Sequence, residues 1–397
     1  EIRNRRRGIG DQAITIFRTV NSNVFDFSHI FFDGPWAMAI AEMLTNEAIK
    51  YAHVLMANSE KSPVTTAPKP LQLQRSGALE KVASRYRPSV NHICAEATHI
   101  LEPITRTRKA LKARTGLRLT VNDILVLYRT VFNDYYIPSD RLNEMLGALA
   151  QNSQGVVLSR NLQAMLKSRR SQNPSLLIPM DATQFDPKER LFPSTFRSPL
   201  PNFRNEHDGL FELRQAARKD KITINRTALN HFLERRTLYL GYLQAFGELM
   251  ERYREIATRG ESMGTAAIRL IAGLPKAMQQ NVDEIPGQLT VVNEAIKGEE
   301  VFSNVGRVVA GSSITRFASA KDDNDKKILV WGIMTDDEDN LVITLRDFRP
   351  EVVDIYRKGH PDVAKAITQD YLDAYLNGLV RFVEEMEEII ATSVRRQ

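Results

Sequence analysis

Cysteine is almost missing from this 397-residue chain, where Cys94 stands alone. One thiol cannot build an internal disulfide framework, so the chain reads as the product of a reducing compartment and a cytoplasmic location is expected. No motif ties a histidine to Cys94, and free cysteines are commonly buried packing residues, so packing is the expectation over nucleophilic chemistry. Long hydrophobic runs are lacking as well. None reaches the ~18 apolar residues of a membrane span, and no secretory signal pattern opens the sequence as given. The seven histidines form no His-Glu-x-x-His set and there is no Cys-x-x-Cys, so no metal site is expected. Gly306-Arg-Val-Val-Ala-Gly311 lacks the Lys-Ser/Thr ending of a phosphate-binding glycine loop. Helix-turn-helix, RNA-recognition and zinc-finger patterns are absent too, which argues against a nucleic-acid partner despite a net charge of +6.

What is present is enough apolar residue, 43%, for substantial cores, over a length that fits two or three domains. Ser62-Pro-Val-Thr-Thr-Ala-Pro-Lys-Pro70 has no apolar periodicity and reads as a linker. The expected division is residues 1–60 as part of a first unit, 61–90 as linker and 91–397 as a second unit. The middle of the second unit is helical, with Leu229, Phe232, Leu240, Leu243 and Phe246 at helical spacing between Thr227 and Thr258, and further helix is expected from Met263 to Gln280. Strands are expected at Val305 to Phe317, Ile328 to Met334 and Leu341 to Leu345, followed from about Asp362 by an amphipathic helix carrying Ile367, Tyr371, Tyr375 and Leu379. This order of elements predicts α/β layers rather than a helical bundle.

The chemistry concentrates near the start. Ala13 to Val20 and Val24 to Phe32 read as strands joined at Asn21-Ser22-Asn23, and a three-residue loop would set Arg18 opposite Asp26. The second strand runs into His29-Ile-Phe-Phe-Asp33-Gly34, after which Trp36, Ile40, Met43, Leu44, Ala48 and Leu55 recur at helical spacing. A neutral imidazole, with an ordinary pKa near ~6.5, is suited to take the proton from an alcohol or amine nucleophile. Asp33 would be architectural, turned away to pair with a buried arginine, with Arg18, Arg307 and Arg346 as candidates, and Gly34 would permit a sharp turn. Two plainer readings stand beside these. His29 can be a core residue with one satisfied hydrogen bond, and Asp33 can be only the N-cap of the next helix, worth roughly 0.5–2 kcal/mol.

The segment resembles the His-x-x-x-Asp-Gly signature of the chloramphenicol acetyltransferase-like acyltransferases, which include condensation domains of peptide synthetases. Further similarities follow in the family's order: Thr120-Val-Asn-Asp-Ile-Leu-Val-Leu-Tyr128, Leu176-Leu-Ile-Pro-Met-Asp181, Phe302-Ser-Asn-Val-Gly306, and Lys327 to Gly332 paired with Leu341 to Arg346. The resemblance implies a two-lobed α/β fold with mixed sheets and a helical insertion in the second lobe. It implies transfer of an acyl group from a coenzyme A or carrier-protein phosphopantetheine thioester, a co-substrate rather than a tightly bound cofactor, to a hydroxyl or amine acceptor, with His29, Asp33 and Gly34 as catalytic-motif residues.

The sequence departs from the family at Ser28, where condensation domains usually carry a second histidine, and it lacks the plant enzymes' Asp-Phe-Gly-Trp-Gly element. Only 28 residues precede His29, fewer than the family's first lobe requires, so an upstream segment or companion chain is expected to cover the hairpin, and homo- or hetero-oligomers are open. A basic cluster, Arg106, Arg108, Lys109, Lys112, Arg114 and Arg118, precedes Thr120. Arg108, Lys109 and Lys112 are candidates to bind the phosphorylated arm of the donor, and a solvated basic helix face is the alternative. A non-catalytic scaffold with this fold is the competing function, its partner surfaces being the helical insert from 227 to 280 and the C-terminal helix.

Overall fold

The computed structural model describes residues 13–27, 32, 34–57, 93–151, 153–168, 174, 176–178, 194–196, 203–219, 226–259, 299–319 and 328–391. In chain order the elements begin with strands β1 (Ile14–Arg18) and β2 (Asn23–Phe27), then helix α1 (Gly34–Ala57). Next come β3 (Cys94–Ile100) and helices α2 (Glu102–Thr115), α3 (Val121–Tyr135), α4 (Asp140–Leu149) and α5 (Ser153–Ser168). Short strands β4 (Leu176–Ile178) and β5 (Ser194–Phe196) precede helices α6 (Phe203–Lys219) and α7 (Arg226–Arg259). Strands β6 (Glu300–Arg307), β7 (Leu329–Thr335) and β8 (Asn340–Asp347) lead to helices α8 (Pro350–Arg357) and α9 (Pro361–Ala391). The fold is mixed α/β. The helix expected at 263–280 and the linker at 61–90 lie outside the described residues.

β1 and β2 form the expected hairpin, but in another register. Thr19 and Ser22 close a tight turn, with the Thr19 amide donating to the Ser22 carbonyl at 2.8 Å and the Ser22 amide to Thr19 Oγ1 at 3.0 Å. The turn therefore spans 19–22 instead of 21–23, and Arg18 stands opposite Asn23 while Asp26 stands opposite Thr15. The cross-strand Arg18–Asp26 pair does not form.

The second sheet has six strands in the order β3-β8-β7-β6-β4-β5, in which β4, β6 and β7 run parallel and the other pairings are antiparallel. Strands buried on both faces read as continuous apolar runs, and β7, Leu-Val-Trp-Gly-Ile-Met-Thr, is buried at every position. On one face lies α9, whose Ile367, Tyr371, Tyr375, Leu379, Val383, Met386 and Ile390 are all buried. Its apolar stripe is spent inside the molecule, so that stripe is not free for a partner. Tyr375 meets the Trp331 ring at 4.9 Å and Phe132 of α3 edge-on at 5.2 Å. α3 is started by a capping box: Thr120 Oγ1 accepts from the Asp123 amide at 3.0 Å, and Asp123 returns the bond to the Thr120 amide at 2.8 Å.

Two ion pairs sit in this core. Glu300 accepts from Arg129 at 2.5 and 3.0 Å and from Trp331 Nε1 at 3.0 Å, and its partner's guanidinium is wholly buried. Asp347 accepts from Arg349 at 2.5 Å and from the Thr368 hydroxyl at 3.0 Å. Burial opposes the charge on each arginine, yet the adjacent carboxylate wins and holds both guanidiniums protonated even more firmly than usual. The first pair ties β6 to α3, and the Thr368 hydrogen bond to Asp347 ties the end of β8 to α9.

The opposite face of the sheet carries a smaller apolar cluster of Val308, Met334 and Val342, with Val305, Ile314, Phe317 and, from α1, Met38 packed against it. Of the strand expected over Val305 to Phe317, only the first residues, to Arg307, are strand. β6 lies earlier, and its ladder is broken by an irregularity between Asn304 and Arg307 and by Gly306 at φ 82°. The chain then crosses the sheet face as an irregular strap over 308–319. Thr344 Oγ1 donates to the Phe317 carbonyl at 2.7 Å, and Arg346 donates to that of Ser319 at 3.3 Å. A side chain at position 332 would meet the strap backbone at 2.8–2.9 Å, which is why β7 carries Gly332 there.

Candidate functional site

α2, the start of α3 and the C-terminal ends of the parallel strands β6 and β7 enclose a cleft of about 570 Å³. Ligands of open α/β sheets bind beyond the carboxyl ends of the strands, and this cleft has that position. Leu101, Thr105 and Val121 supply apolar wall, while Arg106, Arg108, Lys109 and Arg307 outnumber Glu102 and Asp339. Its cationic residues are held differently. Arg108 is anchored through Nε to the Leu119 carbonyl at 2.7 Å. Arg106 is pinned by Glu387 at 2.7 Å and Glu102 at 2.9 Å, and the Glu387 hydrogen bond leads in raising its pKa. Arg307 pairs with Asp339 at 2.9 Å across an exposed rim. Lys109 is exposed and has no ion-pair partner among the described residues. Asn304 turns its carbonyl oxygen to the Gly306 amide at 2.9 Å and its amide group toward Asn122 at 3.4 Å, joining β6 to the first turn of α3. The excess of guanidinium and ammonium groups suits the cleft to an anionic ligand.

Of the residues singled out in the sequence, His29 and Asp33 lie outside the described residues. Gly34 opens α1 and lies close against the sheet: a Cβ there would lie 2.9 Å from Val305 Cγ1. The strand end carrying Phe302 to Gly306 and the end of the His-x-x-x-Asp-Gly segment are thus neighbours, although they are far apart in sequence. Val305 meets Gly34, while Asn304 and Gly306 line the cleft. Arg108 and Lys109 line it too, but Lys112 does not, because α2 has carried it a turn further on. The three arginines considered for Asp33 diverge. Arg18 is exposed on β1, Arg307 pairs with Asp339, and Arg346 is buried over the Phe348 ring at 4.8 Å. Cys94 is exposed at the outer strand β3, against the expectation of a packing role, because its side chain falls on the outward phase of an edge strand.

The apolar stripe read along α1 is also turned. Gly34, Met38, Ala41 and Glu42 face the sheet, whereas Trp36, Met43 and Leu55 are 51, 67 and 68% exposed. The periodicity located the helix correctly but not the face it buries here.

Sequence reasoning missed His207. It is buried between α6, α7 and α9, with Nδ1 2.9 Å from the Tyr239 hydroxyl and Nε2 3.2 Å from Glu385 Oε2. Arg381 also donates to Glu385, at 2.7 Å. Burial pushes the Tyr239 hydroxyl well above its ordinary pKa. Burial also opposes charge on Glu385, but hydrogen bonds from His207 and Arg381 outweigh it and hold that carboxyl below its usual value. Glu385 lies 178 positions from His207, so no local spacing could signal the contact. Phe203 and Phe382 close over the imidazole, which makes this a structural polar network.

Among the described residues no group of three or more histidine, cysteine, aspartate or glutamate side chains is placed to hold a metal ion, and no helix is long and apolar enough to cross a membrane. Neither a family model nor a curated protein matches this chain.

Proposed function

We propose that this protein is an acyltransferase of the two-lobed chloramphenicol acetyltransferase-like type, using a coenzyme A or carrier-protein thioester as donor and a hydroxyl or amine as acceptor. The observation that carries the reading is the contact of Gly34 with Val305, beside the cleft-lining Asn304 and Gly306. It joins the two ends of the family-like pattern on one short piece of β6, with a cationic cleft alongside. His29 removes the proton of the acceptor as its oxygen or nitrogen attacks the thioester carbonyl. The tetrahedral intermediate then collapses with cleavage of the C–S bond, and the imidazolium returns its proton to the leaving thiolate. Arg108 and Lys109 attract the phosphates of the donor arm.

Free-thiol release from a panel of acyl-coenzyme A donors, with cell extract as acceptor, tests this for the chain and its His29→Ala variant. Loss of the base lowers the rate ~10²–10⁴-fold. Equal or absent release in both proteins sinks the assignment. A scaffold role then takes first place, favoured by one observation: the exposed apolar stripe of α1, which is the kind of surface that a partner covers.

A further inference from the structure

Gly34, Met38 and Glu42 lie one turn apart along α1, and each makes a different contact with the same part of the molecule. Gly34 closes on Val305 of β6. Met38 packs on the cluster of Val308, Met334 and Val342. Glu42 accepts a 2.5 Å hydrogen bond from the Ser312 hydroxyl, in the middle of the strap that leaves β6. Ser312 is itself fixed, since its Oγ accepts from the Ile314 amide at 3.1 Å. The strap is fixed in turn by Thr344 and Arg346, which hold the Phe317 and Ser319 carbonyls over the sheet. Of these three contacts, only the one made by Glu42 is a directed bond to a charged group. Packing of glycine and methionine sets distance, and the carboxylate–hydroxyl bond sets rotation and height along the strap.

We propose that Glu42 and Ser312 are positioning residues, whose hydrogen bond locks α1, the helix that follows the His-x-x-x-Asp-Gly motif in sequence, onto the six-stranded sheet. The inference rests on the acyl-transfer reading for its catalytic consequence, but not for the docking itself. Neither residue touches a reacting atom. Glu42→Ala and Ser312→Ala release the helix, whereas Glu42→Gln keeps an acceptor and Ser312→Thr keeps the hydroxyl.

Two measurements on the full chain decide it. Hydrogen exchange of the α1 amides is expected to quicken about tenfold in Glu42→Ala and in Ser312→Ala, with the two conservative variants close to the parent, since one charged hydrogen bond holds the docked state. In the thiol-release assay kcat is expected to fall about tenfold in both alanine variants while the donor KM moves less than about twofold, the signature of a displaced base rather than a lost binding contact. Unchanged α1 exchange in both alanine variants overturns the docking role, whatever the protein's activity. Quickened exchange with kcat untouched overturns the positioning role. If the parent itself transfers no acyl group, the acyl-transfer reading fails by that result alone, and the exchange data still decide whether this bond holds α1.

Discussion

Replacing Gly34 by alanine should loosen α1 from the sheet, although alanine is the better helix former. A methyl at position 34 would sit 2.9 Å from Val305 Cγ1, whereas carbon atoms settle at ~3.5–4.0 Å. Val305 cannot swing aside freely, because β-branching leaves its side chain few rotamers and it belongs to a paired strand. The helix must therefore retreat by up to ~1 Å, which thins the Met38 contact and stretches the Glu42–Ser312 bond. Overpacking of this kind costs ~1–3 kcal/mol, and helix propensity returns at most ~1 kcal/mol, so a net loss of ~0.5–2 kcal/mol is expected. Val305→Ala removes the clashing carbon. In the double variant Gly34→Ala/Val305→Ala the two penalties should not add, and a coupling of ~1 kcal/mol or more is expected from residues in direct contact. Urea unfolding followed by far-ultraviolet circular dichroism, run on the parent, both single variants and the double, measures this coupling. Simple additivity, or a stabilising Gly34→Ala, would refute the claim that α1 is seated by that close approach.

Two other expectations follow from the core. Glu300→Leu strands the wholly buried guanidinium of Arg129 and should destabilise by ~3–5 kcal/mol, while Arg129→Met/Glu300→Leu together should cost much less; a thermal-melt double-mutant cycle reads both, and a double variant worse than either single would contradict the pairing. Glu385 is held below its ordinary pKa of 4.5 by His207 and Arg381 despite opposing burial, so the unfolded chain binds a proton that the folded one resists. Its stabilising contribution is full above about pH 4.5 and is lost as pH falls through the lower folded value. Glu385→Gln should thus reduce stability near neutrality and flatten the acid limb of the stability–pH curve, and an unaltered acid limb would show that this carboxylate does not set it.

Some of this was legible in the residues. Periodicity alone located α7 and α9, because a long helix repeats its apolar stripe many times before chance can imitate it. The pair β7 and β8 announced itself by two apolar runs around Thr335-Asp-Asp-Glu-Asp-Asn340. What failed was whatever depended on a distant partner. Thr19 and Ser22 settled the hairpin register through bonds to each other's backbone, and a count of loop residues could not include those. The run Val305 to Phe317 looks strand-like by composition, but only its first residues belong to β6, where Gly306 in the left-handed region interrupts the ladder before its last pairing of Arg307 with Thr335. At the candidate site, Arg108 and Lys109 line the cleft. Lys112, a turn further along the same helix, lies beyond the cleft's lining.

The two faces of the large sheet divide the work of the molecule. Toward α9 the sheet is sealed by aromatic rings and two buried ion pairs, interactions that fail only at a cost of several kcal/mol each when one partner is removed. Toward α1, the contacts among the described residues include a small apolar cluster, the Glu42–Ser312 hydrogen bond and the close approach of Gly34. Local opening free energies track such differences in buried contact, so the α1 side should open long before the α9 side. The cleft walls are tied to the firm side, since Arg106 bonds to Glu387 of α9 and Asn304 bonds to the start of α3. Perturbing the Glu42–Ser312 bond should therefore loosen α1 while leaving the cleft walls in place.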